Sequence, residues 1–225
     1  RRRRRRRRRG RRMTRASVIS RAPLFGKYKI VKVRYCTSGQ ISPDPSGVFY
    51  VAQTLRANAP ASPNPIAPSD VPEGWNLISP LYNKAVCLGS KLNLTFLPGN
   101  PIHSGVMYVE KSNEALNLLP SPNLNQLLAN RYIRYKYYGS GRGNSSHLRI
   151  TYPFSTKSWF SVKDVRDDPS LASFTAPATL PLHRAYWNFG YQHTHSITGL
   201  GVADRIDFVA VVDYIVLFKE PVNVP

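Results

Sequence analysis

Twelve of the first fifteen residues are arginine: Arg1, Arg2, Arg3, Arg4, Arg5, Arg6, Arg7, Arg8, Arg9, Arg11, Arg12 and Arg15. Guanidinium groups are permanently charged and planar, and they meet phosphate oxygens through paired N–H donors. A strip of them neutralises phosphates and releases counterions without reading base sequence. The same residues can also serve as a nuclear-import signal. Two further basic groups follow. Lys27, Lys29, Lys32 and Arg34 come directly after the arm. Arg131, Arg134 and Lys136 interleave with Tyr132, Tyr135, Tyr137 and Tyr138. Cations beside aromatic rings can hold phosphates while bases stack; the bland alternative for both groups is a solvated strand face. The arm, Lys27, Lys29, Lys32, Arg34, Arg134 and Lys136 are the expected nucleic-acid contacts.

Other reactive side chains carry less. His193 and His195 would share one strand face, with His183 nearby in sequence, but no third or fourth ligand stands at a convincing spacing for zinc. No metal site and no cofactor are therefore expected. Asp164, Asp167 and Asp168 lie beside Lys163 and Arg166; the segment reads as a loop of mixed charge rather than a two-metal centre. Nucleophile-elbow, phosphate-loop and zinc-hydrolase motifs are absent from the sequence, so an enzyme is not expected. The run Gly139–Asn144 has no helix after it and reads as a mobile loop. Asn144-Ser145-Ser146 matches a glycosylation acceptor, expected to stay unmodified without a secretory route. Cys36 and Cys87 sit in apolar runs and read as reduced core thiols.

The elements that must position these residues are short strands. Alternation is clearest in 85–97, with Val86, Leu88, Leu92, Leu94 and Phe96 on one face. It is longest in 205–218, with Ile206, Phe208, Ala210, Val212, Tyr214, Val216 and Phe218 on one face. Segments 27–36, 47–57, 105–111 and 131–138 also read as strands, and 147–152 and 183–193 more weakly. In 27–36 apolar residues stand at Tyr28, Ile30, Val33 and Tyr35, and the slip of phase at Val31 predicts a bulge or strong twist. Helical signals are confined to 74–83 and to 123–130, where Asn123 is the candidate N-cap. The 19 Pro and 14 Gly cluster in the connections. Eight strands with regular turns and almost no helix predict an antiparallel sandwich, most simply an eight-stranded jelly roll over 23–225 preceded by an arm over 1–22.

Composition agrees with one folded body and one unfoldable tail. Hydrophobic residues make up 42% of the 225, enough for a core. The net charge is +20; 12 of the 32 basic residues are in the arm, which leaves 20 against 12 acids, or +8, for the rest. An all-arginine block has nothing to bury and calls for a polyanionic partner. No apolar run of 18 residues exists, so no membrane insertion is expected. No apolar stretch follows the basic run as it would in a secretory signal.

Layout and two motifs resemble the capsid proteins of circular, Rep-encoding single-stranded DNA viruses, the circoviruses among them. The motifs are Glu73-Gly74-Trp75-Asn76 followed by Tyr82 and Leu88-Gly89-Ser90-Lys91-Leu92, and the closing run Val212-Asp213-Tyr214-Ile215-Val216-Leu217-Phe218-Lys219-Glu220-Pro221. The motif likeness covers about 30 residues and the layout the whole chain; the near-pure arginine arm departs from circovirus arms, which interleave other residues. The resemblance implies a jelly-roll coat protein that assembles as a homo-oligomer of sixty copies in a T=1 icosahedral shell. It also implies packaging of a single-stranded DNA genome, with the protein found in the virion and in the host nucleus during assembly. Host import factors and a host-cell receptor would be further partners. Two other readings stay open. One is a coat protein of a small RNA or satellite virus, because the arm binds DNA or RNA equally. The other is a monomeric basic-tailed nucleic-acid-binding protein.

Overall fold

The computed structural model describes residues 26–41, 53–98, 105–115, 124–138, 147–175, 179–193 and 206–222. The arginine arm, residues 47–52 of the second expected strand, Asn123, the 139–146 loop and His195 lie outside them.

Nine strands form two antiparallel sheets. The larger sheet has the order β1 (Tyr28–Ile41), β9 (Ile206–Pro221), β3 (Tyr82–Pro98), β6 (Leu148–Ser155). The smaller has the order β2 (Gln53–Arg56), β8 (Tyr186–His193), β4 (Gly105–Ser112), β5 (Ile133–Tyr138). The ninth strand, β7 (Ala172–Phe174), continues the larger sheet beside β3 below β6. Without that short addition the chain order is 1-8-3-6 over 2-7-4-5. This is the jelly roll, in which β1 and β2, β3 and β4, β5 and β6, and β8 and β9 cross from one sheet to the other.

Alternation places one side chain of every pair between the sheets. From the larger sheet come Val33, Tyr35, Leu92, Leu94, Phe96, Ile150, Tyr152, Phe154 and the predicted face of β9 from Ile206 to Phe218. From the smaller come Leu55, Met107, Val109, Trp187, Phe189 and Tyr191. Aromatic rings meet across the gap: Phe154 on Trp187 with centroids 6.1 Å apart, and Phe189 on Phe208 at 5.1 Å. The Tyr214 hydroxyl, fully buried, donates to the Arg56 carbonyl at 2.6 Å. Helices are minor: α1 (Trp75–Ile78), α2 (Leu124–Ala129) and α3 (Thr156–Phe160). Among the described residues no helix is long and apolar enough to cross a membrane.

Three expectations about phase are corrected. First, β1 pairs with β9 in unbroken register, so it carries no bulge at Val31. Val31, Val33 and Tyr35 turn inward, while Tyr28 and Ile30 are exposed (65% and 57%) beyond the reach of the core. Second, the irregularity lies in β3, between Cys87 and Gly89. It reverses the phase, so Ala85 and Cys87 join Leu92 and Leu94 in the main core, whereas Val86 and Leu88 face outward. They are covered there by Val165 and Leu171 of the α3–β7 connection, a second small core. A Cβ on Gly89 would stand 2.8 Å from the Phe154 carbonyl oxygen, which is why the irregular position is glycine. Third, Cys36 is not a core thiol; it is exposed on the outer face of the larger sheet, while Cys87 is buried.

Candidate nucleic-acid interface

The structure separates the basic groups instead of joining them. Lys27 precedes β1; Lys29, Lys32 and Arg34 are on it, all exposed. β1 is the edge of the larger sheet opposite β6. β5, which carries Arg134 and Lys136, lies against β6: Arg134 donates to the Thr151 carbonyl at 2.8 Å, and the Tyr152 hydroxyl donates to the Tyr132 carbonyl at 2.9 Å. The two groups therefore stand at opposite edges of the sandwich.

On β5 the alternation is as expected, but its sense is inverted. Arg134 and Lys136 pair with Val109 and Met107, so they share the inward side of the smaller sheet at its rim. Tyr135 and Tyr137 pair with Tyr108 and Val106 and project from the outer side, edge to face at 5.5 Å and 42% and 59% exposed. Rings and cations on opposite faces of one strand cannot hold a base and its phosphate together.

Arg134 has a second duty. Its guanidinium lies over the Tyr152 ring at 4.5 Å, and the Lys111 ammonium lies over the same ring at 4.2 Å while donating to the Pro153 carbonyl at 3.4 Å. Thr151 and Pro153 are on β6, an edge strand. Two cations thus cap carbonyls that no neighbouring strand occupies and fasten the sheets together. Burial and the nearby Arg134 charge lower the pKa of Lys111. Next to this clamp, Tyr132 packs edge-on against Trp159 at 5.1 Å and carries Arg131 over its ring at 4.6 Å. Lys111, Tyr152 and Trp159 could not be linked to β5 from sequence, because the contact is between sheets.

A different basic surface forms on the outer side of the larger sheet. Register aligns Arg34, Asp213, Lys91 and Pro153 in one row across four strands. Lys32 precedes Arg34 by one pleat, and Arg149 reaches back from β6 to the Asn93 side-chain oxygen Oδ1 at 3.4 Å. Thr151 donates to the same oxygen at 3.1 Å. Arg34 is ion-paired to Asp213 at 2.7 Å, and that carboxylate holds the guanidinium more firmly protonated. Lys32, Lys91 and Arg149 are exposed and make no ion pair among the described residues. Lys91 and Arg149 were not among the residues expected from sequence; the inward alternation of Leu92 and Leu94 was the one signal that put Lys91 outside.

The outer side of the smaller sheet differs. Its outward side chains include Thr54, Asn188, Tyr108, Glu110, Tyr135 and Tyr137. Thr54 donates to Asn188 at 2.9 Å, and Asn130 donates to Glu110 at 2.7 Å. Burial pushes the Glu110 carboxyl up, opposed by its bonds to Asn188 and Asn130. Its outward cation, Arg56, is buried and donates to the Ser62 carbonyl at 2.8 Å.

Two of the three aspartates of the mixed-charge loop serve its turns. Asp164 accepts from the Arg166 amide at 2.9 Å, and Asp168 caps the following 3-10 turn by accepting from the Ser170 amide at 2.9 Å. Both are turn-forming carboxylates. His183 is exposed and packs on Phe160, 6.1 Å between centroids.

No family model matches the chain, and no curated protein matches it. Solved structures with a similar fold include the BFDV capsid protein in its 60-mer form. It shows 10% identity over 89% of this chain and 99% of that one, with a TM-score of 0.49. The capsid of mud crab tombus-like virus is 12% identical over 93% of this chain and 99% of that one, at 0.45. Turnip yellow mosaic virus is 10% identical over 88% and 96%, at 0.42. At such identities and scores the likeness establishes neither family nor function, and the jelly roll rests on the strand order of the chain itself.

Proposed function

We propose that the chain is the coat protein of a small virus, resembling those of circular single-stranded DNA viruses, which closes into a shell of sixty copies around a genome bound by the arginine arm. The observation that carries this reading is the junction of two unlike parts. A jelly-roll sandwich with a complete core begins at β1, and the twelve arginines lie just upstream of it. Such a body needs no ligand to fold, whereas such an arm needs a polyanion. Exposed Tyr28, Ile30, Tyr135 and Tyr137 supply the aromatic and apolar surface that subunit contacts use.

In this reading the arm, Lys27 and the β1 cations Lys29, Lys32 and Arg34 meet phosphates, and the arm also engages nuclear-import factors of the host. Lys136 is exposed and available for the same use; Arg134 is shared with the sheet clamp. A receptor would read the outside of the assembled shell. The protein is a structural component of the virion, with no catalytic step assigned to it.

The test is size-exclusion chromatography and electron microscopy of the purified protein, followed by sequencing of any nuclease-protected nucleic acid. Closed particles holding single-stranded DNA are expected. A stable monomer of 25.4 kDa under all conditions would sink the shell reading in favour of a basic-tailed binding module, and protected RNA would move the assignment to an RNA or satellite virus.

A further inference from the structure

We infer that the outer face of the larger sheet is a second phosphate-binding surface, in which Lys91 and Arg149 act with Lys32 and Arg34 on a single-stranded nucleic-acid backbone. The inference deepens the packaging role proposed above and rests on it.

The first ground is convergence. Four strands contribute to a diagonal band, β1 with two cations, β9 with Asp213, β3 with Lys91 and β6 with Arg149 two pleats from the row. Strand spacing of about 4.8 Å makes the band roughly 14 Å wide across the strands. Lys32 and Arg34 are at one end, Lys91 is beyond Asp213, and Arg149 leans over Asn93 next to Lys91. Lys91 and Arg149 are far in sequence from each other and from Lys32 and Arg34, and they are brought to one face only through register.

The second ground is charge balance. A solvated sheet face ordinarily mixes both signs. In this band the acid is Asp213, whose side chain is 15% exposed and already bound to Arg34; Glu73 stands beside Arg34 at the β1 edge, and Asp207 lies further along β9 on the same face. Lys32, Lys91 and Arg149 still make no ion pair among the described residues. The other side of the sandwich exposes no Lys or Arg among its described outward residues. Among the described outward residues of the two sheets the exposed cations thus lie on the larger one, and β1, the strand that the arm leads into, forms its edge.

The third ground is the type of contact available. Asn93 and Thr151 lie between Lys91 and Arg149, exposed Ile215 lies opposite Lys32, and the exposed ring on this face of β1, Tyr28, is two pleats from Lys32 at the strand's start. The band can neutralise phosphates but holds no ring of its own to stack a base on, so the ligand is the sugar–phosphate backbone, bound without sequence preference.

The experiment uses the full chain and an oligothymidylate, with affinity measured across a salt series. For single strands the slope of log K against log salt is about −0.7 per phosphate neutralised. The double variant Lys91→Gln/Arg149→Gln should make the slope shallower by about 1.4. Lys157→Gln/Lys163→Gln, an equal loss of charge at exposed positions outside the band, should leave it unchanged. Both pairs are exposed, and matching circular dichroism melts verify folding. A wild-type slope in the Lys91/Arg149 variant, or an equal fall in the control, overturns the inference. Wild-type protein that binds with no salt dependence overturns the packaging role itself, so the two failures are distinguishable.

Discussion

Cys36 and Cys87 belong to the same sheet, yet their environments are opposite. Cys87 is enclosed between the sheets, accepts no solvent, and burial pushes its thiol up to about 12. Cys36 is exposed on the outer face. Thiol reagents attack the thiolate, so unassembled native protein at pH 8 should show one reactive thiol per chain, assigned to Cys36 by mass spectrometry, and two after denaturation. Two fast native thiols would mean that the β3 irregularity has been misplaced. The sign of the linkage follows from the same shift. The unfolded thiol loses its proton near its ordinary value of 9.0, whereas the folded one keeps it to about 12. This contribution to stability is thus complete below pH 9 and is lost as pH rises toward 12. Val212 makes a simpler case: it is fully buried opposite Tyr35 and Leu92. Val212→Asp leaves a charge with no partner and should cost several kcal/mol, enough to abolish soluble folded protein; expression and circular dichroism check it.

Among elements, the informative pair is β5 and β6, the two edges joined by Arg134, with Lys111 of β4 beside it. Arg134→Lys keeps the charge but loses the planar group that lies on Tyr152 while donating to Thr151. It should lower stability by about 1–2 kcal/mol in a denaturant titration, and leave affinity for single-stranded DNA unchanged. A fall in affinity with unchanged stability would return Arg134 to nucleic-acid contact. The strand itself was legible in sequence, since Ile133, Tyr135 and Tyr137 alternate with Arg134 and Lys136. Which face turned inward was not. An edge strand at the rim has no core beneath its last residues, so hydrophobicity no longer selects the face, and the hydrogen-bonding need of β6 decides it.

At the scale of the whole molecule, folding and packaging should separate. The described core begins at β1, and residues 1–12 hold no apolar side chain to add to it. Deleting residues 1–15 should leave the melting temperature of the sandwich nearly unchanged. It removes 12 positive charges per chain, or about 720 from a shell of sixty. The truncated protein should give empty shells, or shells that form only at raised salt, where repulsion between subunits is screened. The ratio of absorbance at 260 and 280 nm reads this directly. A ratio equal to that of filled particles would transfer the packaging role from the arm to the face bearing Lys32, Lys91 and Arg149.

The sequence by itself determined the composition-driven features: a charge concentrated in the first fifteen residues, a β-rich body, the inward face of β9 and the half of β3 from Leu92 onward. These follow from local alternation and from charge, both of which are properties of neighbours in the chain. Tertiary structure alone decided the rest. Strand pairing set Lys91 beside Asp213 and brought Arg149 to Asn93, and sheet packing set Arg134 on Tyr152. One extra residue at Cys87–Gly89 reversed the facing of Val86 and Leu88, and a connection more than 70 residues downstream supplied their cover. Period-two patterning states that two faces exist; only the partners brought to each face from elsewhere in the chain determine which is core, which is clamp and which is free to meet a polyanion.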